Sequence, residues 1–187
     1  MVLILMSETE TMMNKLFLSA CLLLLTFNCV AQKDAEIKTL LSKDGVLALP
    51  IPLKKINEAL KVKPVVINDE MFGDEYTWKP LSGVHFSAFV GEDKTCSTVF
   101  IKANKGKVIS GLPYDLILNG SSLKDCEAKF KSSILEKQKI NPEDNPGETS
   151  SFILKVKKGK YYVHLAFDTK LKLEQITIST VNLDAAG

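Results

Sequence analysis

The sequence predicts an α+β fold in which two tandem units, each a helix plus a three-stranded antiparallel sheet, form one layered domain. The first observation is composition: 187 residues with 45% hydrophobic and 25% charged residues are typical of one ordinary globular domain. The second is an apolar helical stripe that occurs twice, once from Leu53 and again from Leu123. The third is a strand alternation that also occurs twice, from Val84 and from Tyr161. Pattern repetition of this kind indicates repeated structural units.

The N-terminal segment has the pattern of a secretory signal peptide. Lys15 precedes an apolar run over 16–27, and the sequence ending at Ala31 fits the small-x-small cleavage pattern, so Gln32 is the expected mature N-terminus. The run is shorter than the roughly 20 apolar residues that a permanent membrane-spanning helix needs. We therefore predict that residues 1–31 are a signal peptide and that the protein is exported to the periplasm or the cell exterior.

Two alternatives exist at this end of the chain. Residues 1–12 contain two glutamates, which suit a signal peptide poorly, so Met13 is an alternative start that would make residues 1–12 spurious. The sequence 18–21 matches the bacterial lipoprotein box, which would place a lipid on Cys21 and anchor the protein in the envelope. Apolar residues 22–25 follow at once, where a lipoprotein has a polar tether, so the sequence favours soluble export. Membrane attachment is expected only if Cys21 is lipidated.

The two predicted helices share apolar residues at positions i, i+3 and i+7, which form one face of a helix. These residues are Leu53, Ile56 and Leu60 in the first copy and Leu123, Cys126 and Phe130 in the second. Pro52 suits the first turn of the first helix, and Ser122 with Asp125 suits a capping box at the start of the second.

The strands are predicted from residues that alternate between an apolar face and the opposite face. The apolar positions are Val84, Phe86, Ala88 and Val90 in the first copy and Tyr161, Val163, Leu165 and Phe167 in the second. The shift that carries Val84 onto Tyr161 also places Val99 and Ile101 onto Ile176 and Ile178. An earlier strand is expected near 76–79 and near 151–156. We assign the first unit to residues 32–110 and the second to residues 111–187.

The sequence 112–130, which leads into the second helix, and the strands 160–167 and 173–178 resemble small exported bacterial domains. These domains share the fold of the β-lactamase inhibitory protein and of the assembly lipoprotein BamE, in which a helical segment packs on a three-stranded sheet. The resemblance covers residues 44–180, and the inhibitor carries two such units in tandem. It implies a protein that binds another protein without chemistry, either inhibitor-like or, as in related folds, immunity-like. No residue signature of β-lactamase inhibition is present.

The strand face opposite the apolar one is the predicted partner-binding surface, because one face of such a sheet can meet solvent or a partner. It carries His85 and Phe89 in the first copy and Tyr162 and His164 in the second. A histidine pair could bind a metal, but no carboxylate or cysteine lies at ligand spacing, so we expect no metal and no cofactor. Trp78 is the sole tryptophan, and the sequence leaves two roles open: an aromatic anchor near Phe89 or a core residue facing the helix.

An acidic segment, predicted to be a loop over 68–75, contains Asp69, Glu70, Met71 and Phe72. It lacks the alternating acids and closing glutamate of a calcium-binding loop. It is either a solvated loop or a recognition loop that presents Met71 and Phe72 to a basic partner.

Cys96 and Cys126 are the two cysteines outside the signal segment. In an oxidising compartment they can form one disulfide, and the alternative is that Cys126 is a small core residue of its helix.

No Gly-x-Ser-x-Gly turn and no glycine-rich phosphate loop is present, so we expect a protein that is not an enzyme. All 24 basic residues are lysine, and the net charge of +2 argues against a nucleic-acid binder.

The sequence therefore predicts an exported, non-enzymatic protein that binds another protein through an open sheet face and the acidic loop. The alternative is a periplasmic carrier of a small apolar or lipid-like ligand held between the sheet and the helices. A hydrolase is a distant third hypothesis. The identity of the partner and the oligomeric state do not follow from the sequence.

Overall fold

A mostly antiparallel sheet is the main element of the structure, a computed structural model that describes residues 33–34, 36–69, 73–80, 83–141 and 150–185. Nine strands of this described part belong to that sheet, and two short helices accompany it. The fold is α+β, as predicted, with more strand than helix. The signal peptide predicted for residues 1–31 lies outside the described residues. No helix in the described ranges is long and apolar enough to cross a membrane.

The secondary structure comprises eleven strands, two α-helices and four short 3-10 helices within the described residues. The strands are β1 (Lys33–Asp34), β2 (Ile51–Pro52), β3 (Val65–Asp69), β4 (Gly73–Trp78), β5 (Val84–Val90), β6 (Thr95–Ala103), β7 (Ile109–Ser110), β8 (Ile134–Lys139), β9 (Phe152–Lys158), β10 (Tyr161–Phe167) and β11 (Leu173–Ser179). The helices are α1 (Leu53–Leu60) and α2 (Leu123–Phe130), with 3-10 helices η1 (Glu36–Leu40), η2 (Pro113–Asp115), η3 (Lys131–Ser133) and η4 (Leu183–Ala185).

The strand order of the large sheet is β3-β4-β5-β6-β11-β10-β9-β8. Four consecutive strands of the chain form each half, and the halves meet where β6 pairs with β11 in antiparallel orientation. The short strand β2 pairs with the beginning of β6, and β1 pairs with β7 in a separate parallel ladder. The two halves therefore share one continuous sheet.

Each half contains one strand more than the sequence predicted. The additional strands, β3 and β8, are the two outer strands of the sheet. β8 is mostly polar and exposed, and β3 has three consecutive β-branched residues, so neither shows the alternation that marks a half-buried strand. The loop expected over 68–75 was wrong in part: residues 68–69 and 73–75 belong to the paired strands β3 and β4, and the Asn68 side-chain amide donates to Asp74 Oδ1 across them (2.8 Å).

Both predicted helices are present. α1 begins at Leu53, so Pro52, which the sequence placed in the first turn, lies one residue before the helix as its extended N-cap residue. The helix buries the predicted residues Ile56 and Leu60. α2 begins at Leu123 with a capping box: the backbone N–H of Asp125 donates to Ser122 Oγ (3.2 Å), and that of Ser122 donates to Asp125 Oδ2 (3.0 Å). Such a reciprocal pair satisfies two backbone donors that the first helical turn leaves without intrahelical partners.

The core lies between the helices and one face of the sheet. One row of directly opposed residues crosses six strands on this face, and each of its members is fully buried. The row is Trp78, Phe86, Ile101, Ile176, Leu165 and Leu154. Burial of a large apolar side chain contributes about 1.5–3 kcal/mol, so this row is a major source of stability.

Trp78 is a core residue and not an exposed anchor, which decides between the two roles that the sequence left open. Its side chain is 0% exposed and packs edge-on against Phe86, with ring centroids 5.7 Å apart. Its indole N–H donates to Asn57 Oδ1 on α1 (2.9 Å). Trp78 lies directly opposite Phe86 in the β4–β5 ladder, and directly opposed residues point to the same face.

The Trp78–Asn57 hydrogen bond gives a stability prediction. We expect Asn57→Leu to lower the free energy of unfolding by about 1–3 kcal/mol, because it leaves a buried indole N–H without its acceptor. Leucine is a better helix former than asparagine, so a loss cannot come from helix propensity. Urea unfolding measures the change. Lys55→Ala, at an exposed position of the same helix, should change stability by less than about 0.5 kcal/mol, and equal losses in the two variants would contradict the assignment.

Candidate functional site

The candidate site is the sheet face opposite the core, which we call the open face. It is defined by side chains of the four central strands that alternate with the core residues. They are His85, Ser87 and Phe89 on β5, Thr98, Phe100 and Lys102 on β6, Gln175, Thr177 and Ser179 on β11, and Tyr162, His164 and Ala166 on β10. These residues come from both halves, so the open face is continuous across the β6–β11 junction.

Four of the predicted site residues lie on this face. His85, Phe89, Tyr162 and His164 are half-buried, and their strands alternate in burial with the predicted phase. His85 and Phe89 lie on β5, next to β6, and Tyr162 and His164 lie on β10, next to β11. The strands β6 and β11 therefore separate the two pairs. The predicted residues therefore share a face without forming one cluster.

Aromatic side chains occupy different environments in the two halves. In the first half, Phe89 packs edge-on against Phe100, with ring centroids 5.7 Å apart. In the second half, the Lys157 ammonium lies 5.1 Å from the centroid of the Tyr162 ring, a cation–π contact. The open face thus offers an apolar aromatic pair on one side and a charged aromatic pair on the other.

The centre of the open face is polar and buried, which differs from the exposed surface that the sequence predicted. Thr98 and Ser179 are 6% and 0% exposed, and their hydroxyl oxygens are 2.8 Å apart in a hydrogen bond. Ser179 Oγ also accepts the backbone N–H of Val181 (3.0 Å). Residues that follow β11 therefore pack onto the face that β11 helps to form.

The segment after β11 also covers part of the second half. Leu183 lines a cavity of about 170 Å³ together with Phe100, Ile153 and His164. Lys155 on β9 binds two carboxylates at once, with Nζ 2.8 Å from Asp184 and 2.9 Å from Glu136. The sequence analysis missed these contacts. For Phe100 a signal was present, because it lies between the predicted core residues Val99 and Ile101 and therefore points to the opposite face.

Burial and hydrogen bonding shift the pKa values of two ionisable groups at this site, His164 and Lys155. Burial lowers the pKa of His164, and the nearby Lys155 ammonium acts in the same direction, against the raising effect of Asp184 and Glu136. Hydrogen bonds to Asp184 and Glu136 raise the pKa of Lys155. His85, the histidine on β5 in the first half, has Nε2 2.7 Å from Asn104 Oδ1.

The predicted acidic loop lies mostly outside the described residues. Glu70, Met71 and Phe72 are not among them, and for Asp69 only the backbone, at the end of β3, is described. A recognition role for this segment stays a prediction. Within the described ranges, no group of three or more histidine, cysteine, aspartate or glutamate side chains is arranged to hold a metal ion.

The structure contradicts the predicted disulfide, because Cys96 and Cys126 are both free and buried. Cys96 lies on β6 opposite Ile51 and Val90, whereas Cys126 is on α2, which packs against β9. Burial raises the pKa of Cys96 to about 11 and that of Cys126 to about 12. Each is a small core residue, the alternative that the sequence offered for Cys126.

The environment of His164 predicts a pH-dependent stability. Its pKa in the folded protein is below the ordinary value of 6.5, so the folded state binds this proton more weakly than the unfolded state. The free energy of unfolding should therefore fall as the pH drops through about 6.5 toward the folded-state pKa. Urea unfolding between about pH 7.5 and 5.5, above the ordinary carboxylate range, measures this fall. His164→Gln should reduce the fall, and a fall of unchanged size in this variant would contradict the assignment.

The free thiols predict a simple titration result. A chain of residues 32–187, the predicted mature form, should show almost no reaction with a thiol reagent while folded, because both thiols are buried and their raised pKa values suppress the thiolate. After denaturation without a reductant it should show two thiols per chain. A value near zero in the denatured, unreduced protein would contradict the structure and support the disulfide.

No family model matches this chain, and no curated protein matches it. A solved structure to which it is similar is that of a DUF4309 family protein, YjgB, from Bacillus subtilis subsp. subtilis str. 168. The sequence identity is 11%, the TM-score is 0.46, and the match covers 67% of this chain and 76% of that one. A similarity of this size carries no conclusion about function.

Proposed function

We propose that this chain is an exported, non-enzymatic protein that binds another protein through the open face, in the manner of an inhibitor or immunity protein. The observation that carries the proposal is a continuous sheet face, opposite the packed core, that holds half-buried aromatic side chains from both halves. Aromatic residues are enriched among the few contacts that supply most of the binding energy in protein interfaces. Export is part of the proposal because it rests on the signal pattern of residues 1–31.

We further propose that the chain is a tandem repeat, with units at residues 32–110 and 111–187. The support is the register of two hairpins, in which facing pairs correspond under the shift that carries β5 onto β10. The pairs are Phe86–Ile101 and Ala88–Val99 in β5–β6, and Val163–Ile178 and Leu165–Ile176 in β10–β11. The helices agree, since α1 and α2 have eight residues each and begin at corresponding positions of the repeated stripe.

The junction of the halves supports the same proposal. Phe100 on β6 faces Thr177 on β11, and these two positions correspond to each other under the same shift. Around them, Val99 faces Ile178 and Ile101 faces Ile176, so the pairing has a local two-fold arrangement about the Phe100–Thr177 pair. Two units in tandem are what the resemblance to the β-lactamase inhibitory protein implies, and we keep that resemblance as part of the proposal.

A ligand carrier is the second hypothesis, and the cavities favour it less. Pockets for small molecules usually measure about 300–1,000 Å³ and are largely apolar. The cavity on the open face is smaller, about 170 Å³. A second cavity, of about 400 Å³, is lined mainly by polar and charged residues of 38–45 and 111–115 and does not lie between helix and sheet. Native mass spectrometry of the purified protein tests for a retained small molecule.

The open-face proposal predicts which substitutions abolish binding. The exported domain is used to capture proteins from an envelope extract of the cells that produce it, and affinity for a captured protein is then measured with purified components. The double variant Phe89→Ala/Tyr162→Ala should weaken binding at least about tenfold, because it removes an aromatic contact from each half.

The matched control is Leu135→Ala, which removes an exposed apolar side chain from β8, away from the open face. It should bind like the original protein. Recovery of no protein at any salt concentration, or equal binding by the control and the double variant, would refute the proposal. Retention of a small molecule together with failure to capture any protein would favour the carrier.

A further inference from the structure

The outer edge of the sheet at β3 is exposed and apolar. Val65, Val66 and Ile67 are 58%, 49% and 54% exposed, respectively. Neighbouring residues of a strand point to opposite faces, so β3 presents large apolar side chains on both of its faces. Such a pattern is typical of a strand that is buried within a sheet. Among the residues that the structure describes, however, β3 pairs with β4 on one side only.

The opposite edge, β8, provides an internal comparison. It carries Glu136, Lys137 and Lys139, and its pairing with β9 shifts register between Ile134 and Glu136, as at a β-bulge. Charged residues and bulges are the features by which proteins prevent an edge strand from pairing with another chain. The apolar stretch of β3, residues 65–67, has no charged residue and its ladder with β4 shows no register shift. Lys63 and Pro64, residues of the kind that block an edge, stand just before the strand, so residues 65–67 themselves carry no such feature. An apolar edge segment of this kind favours the addition of another strand.

We propose that β3 pairs antiparallel with β3 of a second copy of this chain, so that the two sheets become one across a two-fold axis. The charge pattern around the strand supports this partner. Lys63 precedes β3 and Asp69 ends it, so the strand runs from a basic to an acidic position. An antiparallel copy reverses this direction and brings opposite charges to facing positions, whereas a parallel, in-register copy brings like charges together.

The proposal fixes a register. If the two-fold axis passes at Val66, this residue faces Val66 of the second copy, and Val65 faces Ile67 of the second copy. Position 63 then faces position 69 of the second copy. A two-fold contact of this kind closes on itself and gives a dimer instead of a growing fibre.

The interface is expected to be modest in strength. A strand of five residues buries less surface than a permanent dimer requires, so we expect a reversible dimer with a dissociation constant on the order of micromolar. Dimerisation uses the edge of the sheet, and partner binding uses its open face. The two proposals therefore rest on different residues, and each can fail without the other.

Sedimentation velocity over a range of concentrations tests the dimer. The protein is expressed from its full sequence and purified in the form that the host exports. We expect the original chain to form dimers and Val66→Lys to stay monomeric, because two facing lysines at the axis repel each other. Val66 is half-exposed, so the substitution should leave the circular dichroism spectrum unchanged. Leu135→Lys, at a similarly exposed position of β8, should dimerise like the original chain.

A cysteine substitution tests the register. Residues directly opposite in an antiparallel pair have Cα atoms about 4.5–5.5 Å apart, which is within the range of a disulfide. Val66→Cys should therefore give a covalent dimer under mild oxidation, whereas Leu135→Cys and the original chain, whose Cys96 and Cys126 are buried, should not. A monomer at all concentrations, a dimer that persists in Val66→Lys, failure of Val66→Cys to cross-link, or a different protein found bound to β3 would each overturn the proposal.

Discussion

The antiparallel pairing of β6 with β11 is the interaction on which the rest of the structure depends. It joins two groups of four strands into one sheet, and it fixes which side chains of both groups reach the core. Because side chains alternate along a strand, a slip of one residue would turn Ile176 and Ile178 away from the helices and bring Thr177 into the core. The burial of these isoleucines and the polar character of the open face therefore have the same origin.

The sequence predicted those features of the fold that depend on local periodicity. The i, i+3, i+7 stripes located both helices, and the alternation in β5 and β10 located the core face of both halves. These signals are strong because one side of each element is buried. β3 and β8 were missed for the same reason: as outer strands they bury little on either face, and nothing in their sequences alternates with a period of two.

The site was less predictable because its contacts depend on register and on distant segments. The face on which Trp78 lies follows from its position opposite Phe86. Pro80 and Gly83 mark a turn between β4 and β5, but a turn signal alone does not fix which residues of the two strands face each other. The contacts of Leu183 and Asp184 join residues near the C-terminus to β9 and β10. No pattern within 183–185 indicates such contacts. The free thiols follow from placement as well, since cysteine spacing alone does not determine distance.

The absence of arginine would limit how the open face recognises the partner that we propose for it. Lysine binds as a compact, strongly hydrated charge and lacks the planar fork that holds a carboxylate through two hydrogen bonds. Lys155 already binds Glu136 and Asp184, so its charge is largely neutralised within the protein. Lys157 lies over the Tyr162 ring, where its charge and the aromatic surface would meet a partner together. Binding energy at this face is thus expected from desolvation of aromatic side chains, with lysines supplying orientation and rate of association more than affinity.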